Sequence, residues 1–206
     1  LLRRDGRDVR VIAADLGEPG AAQAIADVTG TVDVLVNNAG AIPAGDIFAV
    51  DDATWRAAWD LKVFGYIAMT RAYYDLMRKA GEGTIVNVIG VAAQKLDPRY
   101  VCGSTGNAAL DAFTRAIGST SIDHGVRIVG INPGGVETER MIALLRSRAE
   151  AEFGDADKWR VYLEQLPQKR GARAEEVADA VVWLSSSRAS YISGTVVACD
   201  GGFAHR

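Results

Sequence analysis

The chain has 206 residues, of which 49% are hydrophobic and 24% charged, enough apolar material for one well-filled domain without the bias of a disordered or fibrous protein. A net charge of -3 argues against a nucleic-acid surface, because neutralising phosphates needs clustered Lys and Arg. No apolar run approaches the roughly 18 residues that a membrane span requires, and no basic-then-apolar leader opens the chain, so a cytoplasmic protein is expected.

Along the chain, Arg3, Arg4, Arg7 and Arg10 alternate with Asp5 and Asp8, which reads as a solvated helix end. Short Val/Ile-rich runs at 9–13, 32–36, 84–89, 126–131 and 195–198 read as buried strands. Between them, apolar residues at helical spacing predict helices near 21–28, 54–80, 104–121 and 175–184. Asp51 and Asp52 suit the start of the long central helix, and Glu175 and Glu176 place negative charge in a first turn. Strands without polar alternation, joined by helices, predict an α/β fold with a doubly wound parallel sheet of the Rossmann type, one domain over residues 1–206.

The stretch 139–170 carries Met141, Leu144, Leu145, Phe153, Trp159, Tyr162 and Leu166 among charged residues. Following a strand's carboxyl end, it is expected to act as a substrate lid, or else as a pair of surface helices. No Gly-rich turn precedes Val9, although such a fold begins with a strand, a Gly-rich turn and a helix holding the dinucleotide pyrophosphate. The first strand-turn-helix and the second strand are therefore expected to be missing from this sequence.

Four motifs in order resemble the short-chain dehydrogenase/reductase family over essentially the whole chain. They are Asp15-Leu16, then Val32-Asp33-Val34-Leu35-Val36-Asn37-Asn38-Ala39-Gly40, then Asn132-Pro133-Gly134-Gly135-Val136-Glu137-Thr138. The last runs from Arg173-Ala174-Glu175-Glu176 through Tyr191-Ile192-Ser193-Gly194 to Asp200-Gly201-Gly202. The resemblance implies oxidoreduction of a small alcohol or carbonyl compound with NAD or NADP. The cofactor would meet Asp15, Leu16, Asn37, Asn38, Ala39, Gly40, Pro133, Gly134, Val136 and Thr138. It also implies a homodimer or homotetramer with contacts on the 54–80 and 104–121 helices.

The family's chemistry uses an Asn, a Ser, a Tyr and a Lys, the tyrosine exchanging the proton and the lysine holding the nicotinamide ribose. Ungapped alignment puts Lys62, Gly90, Gly103 and Asn107 at those places, so the chain reads as a divergent member lacking the usual residues. Lys62 and Asn107 look exchanged, and Tyr100 lies three residues before Gly103. Tyr100, Lys62 and Asn107 are thus expected to form a displaced proton relay, with Ser104 or Thr105 as a possible hydroxyl donor. The plainer reading makes Lys62 a partly exposed helix lysine, Tyr100 a loop packing residue and Ser104 a helix N-cap. In the alternative function, the chain is a catalytically silent relative that binds nucleotide or forms oligomers. His124 reads as a turn residue, Lys95 and Asp97 as loop residues within reach of a substrate, and Cys102 and Cys199 as neither a disulfide framework nor, with the two histidines, a metal site.

Overall fold

In the computed structural model, residues 6–206 are described, so Arg3, Arg4 and Asp5 lie outside the described residues. Residues 7–10 are not helical, which corrects the expected helix end for that part.

β-branched residues build four parallel strands: β1 (Val34–Asn37), β2 (Gly83–Val88), β3 (Val126–Pro133) and β4 (Val196–Cys199), in the order β1-β2-β3-β4. The register sets Leu35 beside Ile85, Ile85 beside Ile128, and Ile131 beside Val197. All of β3 is buried, as a central parallel strand must be.

Helices α1 (Ala21–Thr29), α3 (Gly65–Ala80) and α4 (Val101–Ser121) cover one face of the sheet, and α6 (Ala174–Ser185) covers the other. On the first face Leu35, Met69, Tyr73, Met77, Ile85 and Ile128 form one core. On the second, Val86, Val129 and Ile131 pack on Leu184. α4 comes so close to the sheet that a Cβ at Gly118 would run into the Ile128 carbonyl and Gly194, which is why glycine stands there.

Two expectations fail at the β1 edge. Residues 9–13 form no strand, and Val11 is 74% exposed. The sheet ends at β1, and among the described residues no further strand lies beyond it. For the same reason β1 is buried on one face only: Leu35 and Asn37 point into the core while Val34 and Val36 are exposed.

The long central helix is not uniform either. α2 (Asp52–Trp59) begins under Asp51, whose carboxylate accepts from the Thr54 amide at 2.7 Å. It then passes through a π turn, Asp60–Phe64, before continuing as α3. That turn carries Lys62, and such interruptions of an α-helix concentrate at functional positions.

Buried polar groups tie the elements together. Asn37 Nδ2 donates to Asn87 Oδ1 at 2.8 Å and to Thr70 Oγ1 at 3.3 Å, and Asn87 Nδ2 donates to Thr114 Oγ1 at 2.9 Å. At the sheet's other end the buried Arg127 donates to Thr84 Oγ1 and to the carbonyls of Leu184, Ser185, Ser186, Ala189 and Ile192. It closes the exposed C-terminal carbonyls of α6, which have no partner within the helix.

The segment 139–170 consists of α5 (Glu139–Phe153) and a 3-10 stretch, Ala156–Gln165, packed on each other through Ala149, Trp159 and Tyr162. Among the described residues no helix is long and apolar enough to cross a membrane.

Candidate active site

The carboxyl ends of β1, β2 and β3 open toward one edge, where the residues singled out by the motifs gather. Three segments meet there: the loop after β1, the π turn and the start of α4. Trp59 Nε1 donates to the Cys102 carbonyl at 3.3 Å, and the Gly106 backbone lies against Trp59 and Val63. The loop after β1 joins α4 through Gly45 N to Arg99 O (2.8 Å) and Val101 N to Gly45 O (3.3 Å). Ile42, Val50, Ala58 and Cys102 pack beneath these contacts, so the site rests on a small core of its own.

Lys62 is half-buried, and its Nζ donates to the Ile89 carbonyl at 2.7 Å. Its stem runs under Gly40, where an added Cβ would lie 2.9 Å from Lys62 Cδ. Burial, aided by the Arg140 guanidinium, brings the lysine from an ordinary 10.5 down to about 8. The plainer reading of Lys62 as a partly exposed helix lysine matches its half-buried place in the π turn, to which the Ile89 contact and the lowered pKa are added.

Gly90, the residue after that carbonyl, adopts φ +140°, and a Cβ there would sit 3.4 Å from Asn107 Nδ2. Asn107 is only 3% exposed, and its Oδ1 has no hydrogen-bond partner among the described residues. An orphaned buried acceptor is costly, and it fits a ligand that brings a hydroxyl or N–H donor. Gly90 N itself donates to Asn132 Oδ1 at 3.2 Å, and Asn132 Nδ2 reaches Asp111 Oδ2 at 3.3 Å.

Tyr100 does not extend the helix; it is the N-cap residue of α4, at φ -140° and ψ 40°. From there its ring folds back over Gly103, and a Cβ at 103 would overlap Tyr100 Cε1 and Cζ outright. The phenol thus lies at the position from which a side chain at 103 would start. Burial raises its pKa, with Arg140 pulling the other way. Among the described residues no hydrogen bond joins Tyr100, Lys62 and Asn107 directly; Lys62 and Asn107 flank the Ile89-Gly90 turn, and Tyr100 caps the helix that carries Asn107.

Ser104 is not the N-cap. It sits buried in the first turn of α4, where its Oγ accepts from Asp97 N at 3.2 Å. Thr105 Oγ1 donates back to Val101 O at 2.8 Å, so both hydroxyls serve the helix start. Lys95 Nζ donates to the Arg206 carbonyl at 2.9 Å, and Asp97 accepts from Arg99. His124 lies in a 3-10 turn at the amino end of β3, away from this edge.

The motif residues expected at a cofactor divide by use. Asn38, Ala39 and Gly40 leave β1 as an open loop, whereas the Asn37 amide is consumed inside the core. Pro133 ends β3, and Gly134 lies 3.1 Å (as a Cβ) from Asp200 Cα. Val136 bridges to Ala172. Thr138 caps α5 through its Oγ1, which accepts from Met141 N at 3.3 Å. Asp15 Oδ1 accepts from Gly17 N at 2.8 Å, and Leu16 packs against the α1/α3 core.

Arg140 is the residue that sequence reasoning missed. From the first turn of α5 it donates to Gly40 O at 3.3 Å and Ile42 O at 2.8 Å, strapping the 139–170 segment across to the loop after β1. Its partners are 100 and 98 residues away in sequence, a contact that no local pattern signals. A cavity of about 420 Å³ lies between Gly134-Gly135, Leu166-Pro167-Gln168 and Asp200-Gly201-Gly202. Among the described residues no cluster of His, Cys, Asp or Glu is arranged for a metal ion.

A family model described as enoyl-(acyl carrier protein) reductase, of the short-chain alcohol dehydrogenase type, matches residues 4–204. The chain belongs to the short-chain dehydrogenase/reductase family. Galactitol 2-dehydrogenase (L-tagatose-forming) from Cereibacter sphaeroides is 30% identical over 98% of this chain and 84% of its own length. The structure of L-sorbose reductase from Gluconobacter frateurii, complexed with NADPH and L-sorbose, superposes with a TM-score of 0.89 at 28% identity, covering 100% of this chain and 80% of that one. Ligand-free aldohexose dehydrogenase from Thermoplasma acidophilum gives a TM-score of 0.83 at 29% identity, over 95% of this chain and 78% of that one. The parallel Rossmann-like sheet is the architecture of these short-chain dehydrogenases.

Members of the family take a nicotinamide nucleotide, and the residues present suit one. The orphaned Asn107 Oδ1 suits a hydroxyl donor such as a ribose brings, and Asn38, Ala39 and Gly40 present open backbone against Lys62.

Proposed function

We propose that this protein is an NAD- or NADP-dependent oxidoreductase of a small polyol or carbonyl compound, in which Tyr100, Lys62 and Asn107 replace the family's usual proton path. The observation that carries the reading is Tyr100 folded over Gly103 while Lys62 and the unsatisfied Asn107 flank Gly90. The activities named for the galactitol, sorbose and aldohexose relatives support a sugar or polyol substrate.

The nicotinamide, when bound, supplies or takes the hydride. In the reducing direction the Tyr100 hydroxyl gives its proton to the substrate oxygen as the carbon–oxygen double bond becomes single. Lys62, with a pKa near 8, then returns a proton toward the phenolate, and a solvent proton restores the lysine. Asn107 accepts a hydroxyl hydrogen bond at Oδ1 and fixes the orientation of what binds there. A lysine that exchanges protons near neutrality suits this work better than an ordinary solvated one.

Steady-state oxidation of NADH and NADPH with a panel of ketoses and aldoses, comparing Tyr100→Phe and Lys62→Met with the wild type, tests the reading. Both variants are expected to lose at least tenfold in kcat. Unchanged rates in both would remove the relay. The silent-relative alternative rests on the absence of the family's Tyr and Lys at 103 and 107, and no separate feature of the site favours it.

For assembly, we propose that α3 and α4 meet a second copy. The half-exposed Ile67, Tyr74, Phe113 and Ile117, which line one shallow groove, support this. A sedimentation mass of one chain would contradict it.

A further inference from the structure

Among the described residues, the site's two cations, Lys62 and Arg140, meet no carboxylate. Lys62 and Arg140 both meet Gly40: a Cβ added there would lie 2.9 Å from Lys62 Cδ, and the Arg140 guanidinium donates to its carbonyl at 3.3 Å. Each donates only to backbone carbonyls, Lys62 to Ile89 and Arg140 to Gly40 and Ile42, and neither makes an ion pair among the described residues.

The carboxylates nearest in sequence or space are engaged elsewhere or face solvent. Glu137 accepts from Gly171 N at 2.9 Å, Asp97 pairs with Arg99, and Asp46 accepts from the Phe48 and Ala49 amides. Glu139 is exposed in the first turn of α5. Lys62 is half-buried and Arg140 exposed, and the repulsion between two like charges is eased when something negative joins them.

Arg140 keeps most of its donors. A guanidinium has five N–H groups, and two are used. Its planar fork matches a carboxylate in a bidentate pair. One full positive charge, with a lysine poised near neutrality beside it, balances a single negative charge better than a dianion.

We propose that Arg140, with Lys62 near it, binds a carboxylate of the substrate, so that among small polyols and carbonyl compounds a sugar acid or other hydroxy or keto acid is preferred to its neutral counterpart. This rests on the oxidoreductase reading above and names its substrate class. Arg140 acts here as a binding residue on the strap between α5 and the loop after β1, placing the carbon to be oxidised relative to Tyr100. Closure of that strap and capture of the acid are then one event, because the same guanidinium makes both contacts.

The test compares D-gluconate with D-sorbitol, which share a carbon skeleton and differ in charge, at matched ionic strength. Thermal unfolding of the protein is followed with each, in the presence and absence of NAD and NADP, for the wild type, Arg140→Gln and Arg140→Lys. D-Gluconate is expected to raise the wild-type Tm and D-sorbitol to leave it unchanged. Arg140→Gln is expected to lose the gluconate response, and Arg140→Lys to keep part of it, while each unliganded variant still unfolds in one cooperative transition.

In turnover, Arg140→Gln is expected to raise the KM for gluconate at least tenfold with a smaller change in kcat. Equal stabilisation by sorbitol, no response to gluconate, or an unchanged response in Arg140→Gln would overturn the proposal, even if neutral polyols are turned over. An Arg140-dependent gluconate response without turnover on any nucleotide would uphold the acid site and count instead against the oxidoreductase reading.

Discussion

Gly103 and Tyr100 show how one position can be decided by its neighbour. The ring of Tyr100 takes up the space of a Cβ at 103, so Gly103→Ala is expected to cost about 1–3 kcal/mol, the range for inserting atoms into filled space. Urea unfolding measures it, and the double variant with Tyr100→Ala is expected to recover most of that loss through non-additivity. Lys62 carries a pH signature of its own. Its folded pKa is near 8 against 10.5 unfolded, so between those values the unfolded chain binds more protons. Stability is therefore penalised below pH 8 and rises as the pH climbs toward 10.5. The difference between wild type and Lys62→Met is expected to follow that rise; a difference independent of pH would mean the lysine is not held in a desolvated place.

At this scale the sequence was legible only in part. The three-residue spacing brought Tyr100 to Gly103 for a reason that proved wrong, since the tyrosine is an N-cap folded backwards and not a neighbour on a helix face. Register alone pointed to Lys62 and Asn107, and in the fold the two flank Gly90. Arg140 left no trace, because its role depends on a helix and a loop that meet only in the folded chain.

Among the elements, strands and helices were placed by periodicity to within a few residues, because their residues are buried on the faces the patterns imply. The interior of the 54–80 helix was not. A π turn changes the hydrogen-bond register without any residue that breaks a helix, and Lys62 owes its aim to that turn. Residues 9–13 have strand composition, yet a strand is made by its neighbours, and β1 ends the sheet of the described residues. Arg127 belongs here as well, since it closes the end of α6 onto β2 and β3. Arg127→Met is expected to destabilise by about 3 kcal/mol or more, because it removes a shared donor from several buried or half-buried carbonyls at once. A loss under about 1 kcal/mol in urea unfolding would show that α6 is closed by other means.

For the whole molecule, the order β1-β2-β3-β4 and parallel pairing bring the ends of motifs 32–40 and 132–138 to one edge, whereas 191–194 lies at the opposite end beside Arg127 and Ile128. The strap from α5, the caps at Thr138 and Asp51, and the small core under Ile42 and Cys102 all serve that edge. The central claim is that this edge binds a nicotinamide nucleotide in the folded chain, and thermal unfolding with NAD, NADH, NADP and NADPH tests it most directly. A ligand at a hundredfold its Kd adds about 2.7 kcal/mol to the native state, which for a chain of this size is a shift of roughly 5–10 °C. At least one of the four nucleotides is expected to produce such a shift, reduced in Asn107→Ala; no shift with any of them would contradict the account.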